Sequence, residues 1–339
     1  MQPGFFDLDS RHQQLEKLGD PLPKLAELVD WEGFRPLLDR IREKERKSTA
    51  GRKPYDVVLM FKILFLQSFY GLGDDQTEYQ IRDRYSFCRF LGLTPEGKVP
   101  DAKTIWLFRE ALKEADLIDG LFAELDGQIW AAGYRSRKGQ IIDASLIAAP
   151  RQRNSREENA KIKQGETPED WKENPAKLRQ KDVEARWTQK NGENHYGYKN
   201  HISIDNQHKL IRHFEVTSAS VHDSQVFDCL IDEENTSRSV WADSAYRSRS
   251  TEAWLEEEGY RSHIHTKGQA GKPLSEAQQR ANKKRSSVCV RVEHVFASHK
   301  QMAGDFVRTI GHARARLKLG LINMAYNMKR WSYLEEAAA

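Results

Sequence analysis

The chain is predicted to be an α/β protein, a mixed sheet flanked by helices and preceded by an all-helical N-terminal domain. Three observations point there. Up to about residue 135, apolar residues recur at helical spacing between helix start and stop signals. From Gly139 onward, short apolar or alternating runs of strand type interleave with helical ones. The length, 339 residues, suits two domains that each bury a core. We place them at 1–135 and 136–339, the second with a charged insertion at 151–193.

Pro54-Tyr-Asp-Val-Val-Leu-Met opens a strongly apolar helix that ends at Gly71-Leu-Gly73. Asp74-Asp-Gln-Thr-Glu starts another, its first-turn acids complementing the helix dipole. That helix is expected to run through Arg82, Arg84 and Arg89 to Gly92. A third begins at Pro100-Asp-Ala-Lys-Thr-Ile, with Asp101 as its cap. Arginines along short helices suit a helix-turn-helix reader of a DNA end, and a plain helical bundle fits equally. Tyr134-Arg-Ser-Arg-Lys-Gly139 is a basic turn at the domain boundary.

The first strand is Gly139-Gln-Ile-Ile-Asp-Ala-Ser-Leu-Ile, which carries Asp143. Arg151 to Glu193 then holds 11 basic and 9 acidic residues with Pro168 and Pro175, and reads as an exposed, irregular excursion. Within it, Trp171 and Trp187 either stack on an unpaired base or pin the loop to the body. His195 to Asp205 and Lys209 to Thr217 form an antiparallel pair. A helix starts at Val221-His-Asp-Ser-Gln, capped by Asp223 or Ser224. The strand bearing Asp243, a helix over Ser250 to Glu258, a short strand His263-Ile-His-Thr and a long helical tail complete the order. That order suits a sheet in which the first and fourth strands are neighbours, bringing Asp143 beside Asp243.

Composition narrows the function classes. The apolar run Val57 to Leu66 is interrupted by Lys62 and falls short of the ~20 residues a spanning helix needs, so no membrane partner is expected. Met1-Gln-Pro-Gly-Phe-Phe-Asp lacks the plan of a signal peptide. Cys88, Cys229 and Cys289 form no close pair, which suits a reducing, cytoplasmic setting. Net charge is +4, but Arg261 to Arg330 holds 15 Lys and Arg against three acids, a net +12, leaving −8 for the rest. Such a block either binds phosphates or forms a solvated helical face.

Asp143, Asp243 and Glu293 are the catalytic and metal-binding candidates. Two strand-borne aspartates and a helix-borne glutamate, converging, can hold two hard divalent ions, Mg²⁺ or Mn²⁺. Asp143 would bridge both ions, and Asp243 and Glu293 would each complete one shell. Lys300 follows Glu293 at i+7 on the same helical face, placed for a DNA phosphate. Asp223 is a rival second aspartate, though a helix cap accounts for it. His222 suits a phosphate contact or the ordering of its turn. His263 and His265 lack acidic company for a zinc site.

Together these residues resemble the bacterial insertion-sequence transposases with an Asp-Asp-Glu site on an RNase H-like fold. The nearest group is the fifth insertion-sequence family, with its InsH-like N-terminal domain. The resemblance is carried by Pro54-Tyr-Asp-Val-Val-Leu-Met, Pro100-Asp-Ala-Lys-Thr-Ile, Ile142-Asp-Ala-Ser, Tyr196-Gly-Tyr-Lys-Asn-His, Val221-His-Asp-Ser, Ala242-Asp-Ser-Ala-Tyr, Val292-Glu-His-Val-Phe with Lys300, and Arg308-Thr-Ile-Gly-His-Ala-Arg-Ala-Arg. It implies an N-terminal DNA-binding and dimerisation domain. It also implies metal-dependent cleavage at element ends and strand transfer of the 3′ hydroxyl into target DNA by a homodimer, in a bacterial cytoplasm at the nucleoid. Lys300, Arg291, Lys199, His222, Arg308 and Arg314 are then the DNA-binding candidates. The chain departs from the family signature where a tyrosine and an arginine usually precede the glutamate; here stand Ser286 and Cys289, with Arg285 or Arg291 as substitute cations. The alternatives are a catalytically impaired DNA-binding descendant and a nuclease without strand transfer.

Overall fold

The computed structural model describes residues 7–42, 53–94, 96–190, 192–268, 271 and 273–338, so Met1 to Phe6 of the N-terminal segment lie outside the described residues. Backbone contacts divide the chain into two units, Met1–Tyr134 with Gly320–Ala339, and Arg135–Leu319.

The first unit is helical: α1 (Asp7–Lys17), α2 (Leu22–Leu28), α3 (Arg35–Asp39), α4 (Val57–Phe69), α5 (Asp74–Asp83), α6 (Tyr85–Leu91), α7 (Ala102–Glu114) and α8 (Ile118–Ala131). α4 forms because Asp56 accepts from the Val58 and Leu59 amides at 2.9 and 3.1 Å, and its side chains are buried on nearly every side. Trp31 gathers Phe34, Phe61, Phe65 and Phe90 around it with ring centroids 5.3–6.3 Å away. Asp101 caps α7 through the Thr104 amide at 2.7 Å. The single helix expected over 74–92 is two helices. Arg84 is extended at the break (φ −98°, ψ 118°), and its guanidinium lies over the rings of Tyr70 and Phe87. No single helix among the described residues is long and apolar enough to cross a membrane.

The second unit opens with β1 (Gln140–Ala148), followed by α9 (Arg156–Lys163), α10 (Glu169–Lys172), α11 (Pro175–Leu178), β2 (Arg186–Lys190), β3 (Glu193–Asp205), β4 (Ile211–Ser218), β5 (Ser239–Ala242), α12 (Arg249–Glu257), β6 (Arg261–Ser262) and α13 (Glu276–Gln301). α14 (His312–Ala338) supplies its first residues to this unit and those from Gly320 to the first. By backbone contacts the end of α14 thus groups with the helical unit, where the sequence reading places 136–339 together. Beyond Gly320 the helix buries Leu321, Ile322, Met324, Met328 and Trp331, and Glu336 pairs with Lys24 of the helical unit at 3.2 Å.

The sheet runs β2-β3-β1-β5-β6, with β4 also paired to β3. β1 lies at the centre, antiparallel to β3 and parallel to β5. An antiparallel meander continued by parallel strands beside its first strand is the RNase H-like mixed sheet expected. Gly139 turns the chain into β1 at φ +84°, where a Cβ would stand 2.4 Å from the Ser239 carbonyl oxygen. Gly197 is tighter still. It adopts φ +150°, and a Cβ there would meet the Ile147 carbonyl oxygen at 2.1 Å.

The insertion is more ordered than its composition suggests. Ser155 and Glu158 form a capping box on α9, a signal present in the sequence as Ser-x-x-Glu. Trp171 is fully buried, its indole donating to Glu158 at 2.7 Å, so it pins the segment. Buried Asp182 accepts from the Tyr198 hydroxyl at 2.8 Å, the Ala185 amide at 2.9 Å and the Gly311 amide at 3.1 Å. Tertiary partners thus supply the order that local charge density argues against. Trp187, on β2, stays about half exposed beside Tyr196.

Candidate active site

Register brings the two aspartates together. Ile142 pairs with Ala242 across the parallel β1–β5 ladder, and Asp143 and Asp243 are the next residue on each chain. α13 packs against both strands. Asp143 accepts from the Ala144 amide at 2.8 Å. The residue as a whole keeps partial exposure, yet its carboxyl is crowded enough that burial pushes its pKa up to about 7. The Ala144 amide and Lys190 oppose the rise, while the charges of Asp243 and Glu293 add to it. Asp243 is exposed and caps the short turn Ser244–Tyr246, accepting from Ala245 at 2.7 Å. Glu293 lies exposed on α13.

Cys289, one turn before Glu293, has its thiol pushed up to about 12 by burial, with Asp143 and Asp243 adding to the shift. It is neutral there and supplies no cation. The proposed substitutes are engaged elsewhere: Arg285 with Thr266 and Asn282, Arg291 with Asn206. Lys190, which the sequence does not single out, is a cation whose charge opposes the rise in the Asp143 pKa.

Two neighbours complete the site. Tyr246 is fully buried, and its hydroxyl finds no hydrogen-bond partner among the described residues. Burial, then the charges of Asp143, Asp223 and Asp243, hold its pKa far above that of a free phenol. The turn that Asp223 opens packs against the Ser244–Tyr246 turn that Asp243 caps. Asp223 is not the cap expected of it. His222 caps that turn, accepting from Ser224, while Asp223 takes the Lys199 ammonium at 2.7 Å and lies 4.0 Å from buried His201.

The predicted DNA-contacting residues separate into two groups. Lys300 and Arg308 are exposed. Lys199 is half-enclosed by Asp223 and the Val221 carbonyl, Arg291 by Asn206, and Arg314 donates to the Ile310 carbonyl at 3.2 Å. His222 is occupied with Ser224 at 2.8 Å. In the helical unit Arg82 pairs with Glu78, and Arg89 with Glu16.

Burial alone pushes His299 on α13 down to about 4, from 6.5. A folded pKa below the unfolded one means that stability is complete above pH 6.5 and is lost as pH falls toward 4. The expected loss is about 3 kcal/mol. Asp143 titrates with the opposite sign across the same window. The check is therefore a difference: urea stability of wild type minus that of His299→Gln at pH 7 and pH 4.5. A difference constant across that range would contradict the assignment.

The donors suit a hard divalent cation. Three carboxylates provide oxygen ligands, and beyond the burial that chiefly raises the pKa of Asp143, the charges of Asp243 and Glu293 add negative potential that a cation would offset. Among the described residues no group of three His, Cys, Asp or Glu side chains is spaced to hold an ion as it stands.

A family model described as "Transposase DDE domain" matches residues 134–328, and one described as "Transposase domain (DUF772)" matches residues 10–111. Among solved structures, the chain is similar to the piggyBac transposase in its synaptic complex with hairpin DNA. Identity is 14% and the TM-score 0.47, covering 94% of this chain and 76% of that one.

Proposed function

Because the chain belongs to the Transposase DDE domain family, we propose that it cuts DNA at the ends of an insertion sequence and joins the freed 3′ hydroxyl to target DNA. The observation that supports this most is the β1–β5 register, which sets Asp143 and Asp243 side by side under the helix bearing Glu293.

Asp143, Asp243 and Glu293 would hold the divalent ions that members of this family typically use. Bound there, such ions neutralise phosphoryl charge and assist both the attacking and the departing oxygen. The chain's residues set the stage. Asp143 is fixed by its strand and the Ala144 amide, whereas Asp243 and Glu293 are exposed and would turn inward as the site fills. In the first step a water oxygen bonds to phosphorus as the bond to the 3′ oxygen breaks, and the released proton ends on that oxygen. In the second the 3′ hydroxyl oxygen bonds to the phosphorus of a target phosphodiester as the bond to another deoxyribose oxygen breaks, and the hydroxyl proton ends on that departing oxygen. Exposed Lys300, two helical turns beyond Glu293, would hold a backbone phosphate. Handling two ends at once calls for two copies of the site, hence a homodimer. We place the reaction in a bacterial cytoplasm, on nucleoid DNA.

The test incubates the protein with Mg²⁺ and DNA bearing the element's terminal inverted repeats, resolving hydrolysed from joined products. Hydrolysis without joining would favour a plain nuclease. Binding without either product would favour an inactive descendant.

Electrostatics gives an independent expectation. Lys267, Lys283, Lys284, Lys300 and Arg308 of the basic block are all exposed. At about −0.9 per phosphate met, five such contacts give a slope of log affinity against log salt of about −4 to −5. A slope near zero in a fluorescence-anisotropy titration would remove the block from DNA binding.

A further inference from the structure

We propose that His265 is a positioning residue that locks the strand end carrying Asp243 to the helix carrying Glu293, with Ser286 as its anchor. This rests on the assignment of those acids above.

After β6 the chain continues beside β5, the His263 amide donating to Val240 at 2.8 Å and the His265 amide to Ala242 at 3.1 Å. The Ala242 carbonyl also receives the His265 ring, through Nδ1 at 3.0 Å, while Nε2 lies 2.9 Å from the Ser286 hydroxyl. With Nδ1–H donating, a neutral imidazole accepts from the Ser286 hydroxyl through Nε2, sharing that proton with the Asn282 carbonyl 3.0 Å from the same oxygen. Asp243 is the residue after Ala242. Ser286 precedes Glu293 by seven residues, two turns earlier on the same helical face. One imidazole therefore spans the backbone behind one acid and the helix face of the other.

The first half of α13 depends on such polar ties. Its buried residues are Val292, Val295, Phe296 and His299, all in the second half. Before them, Asn282 exchanges two hydrogen bonds with the Thr266 backbone at 3.0 and 2.9 Å, and Arg285 reaches the Thr266 hydroxyl at 3.2 Å. Those bonds dock the helix. The His265–Ser286 bond is the tie that also touches the residue beside Asp243, so it sets the rotation of α13, and with it Glu293, against that aspartate.

The experiment compares wild type, Ser286→Ala, His265→Ala, the double variant, His265→Gln and Asp243→Asn. It reads end cleavage over a Mn²⁺ titration, Mn²⁺ binding by calorimetry, and DNA-end binding without metal. Each alanine variant should lower cleavage ~10-fold, the value of one well-placed hydrogen bond. Each should also raise the half-saturating Mn²⁺ concentration and leave metal-free DNA binding unchanged. The double variant should be no worse than the poorer single one, and His265→Gln, whose amide reaches Ser286, should recover part of the loss. Wild-type cleavage and Mn²⁺ binding by Ser286→Ala, with Asp243→Asn inactive, overturns the inference. Normal cleavage by Asp243→Asn instead overturns the site assignment beneath it. Should His265→Ala not fold, Ser286→Ala decides alone, since it changes an exposed helical hydroxyl.

Discussion

Asp143→Asn is expected to abolish end cleavage, by ~10³-fold or more, while leaving DNA-end binding intact. Metal-assisted stabilisation of phosphoryl charge is worth several kcal/mol, which converts to that factor. Asparagine keeps the shape and can still accept from the Ala144 amide, so the fold has no reason to fail. The same substitution carries a second, less usual expectation. A folded pKa raised to about 7 means that above that pH the metal-free protein carries an ionised carboxylate it disfavours. Without metal, at pH 8, Asp143→Asn should therefore be at least as stable as wild type in urea, by up to a few kcal/mol. Relief should vanish as pH falls below ~4, where aspartic acid is protonated in both states. A variant that still cleaves, or one that is clearly less stable at pH 8, would sink this account of Asp143. Asp243→Asn should also abolish cleavage, without the stability gain, because Asp243 is exposed and its carboxylate caps a turn.

Gly197→Ala should be the most damaging change to the fold. The methyl group would be placed 2.1 Å from the Ile147 carbonyl oxygen and 2.9 Å from the Ala149 nitrogen, both backbone atoms of the central strand and its exit. Neither can swing away as a side chain would. Backbone strain at φ +150° adds to the overpacking, so a loss on the order of 4 kcal/mol is expected. Thermal unfolding of the variant checks this, and a melting temperature within a few degrees of wild type contradicts the geometry. Gly165, also at positive φ but with nothing near its Cβ, is the control: Gly165→Ala should carry only the conformational penalty.

Gly197 also explains much of Tyr196-Gly-Tyr-Lys-Asn-His. In sequence this segment reads as one of the blocks shared with a catalytic family. In the structure, Tyr198 holds Asp182, Lys199 holds Asp223, and His201 is buried with its ring 2.9 Å from Thr217. These side chains are engaged in hydrogen bonds within the fold. A glycine between tyrosines in an alternating run does hint at close backbone approach, but not at which strand approaches.

The sequence by itself determined the α/β class, the helical start, the pairing of the Asp143 and Asp243 strands and the acids to suspect. Those properties follow from local periodicity and from the order of apolar runs, and both are written along the chain. Tertiary structure alone decided that Lys199 and Arg291 are engaged by partners within the protein, that Trp171 is core, and that His265 joins Ala242, 23 residues before it, to Ser286, 21 residues after it. It also decided that α13 needs hydrogen bonds to hold its polar first half. A charge or a hydroxyl looks the same in sequence whether it meets solvent or a partner far along the chain. Only the fold fixes which desolvation is compensated, and by what.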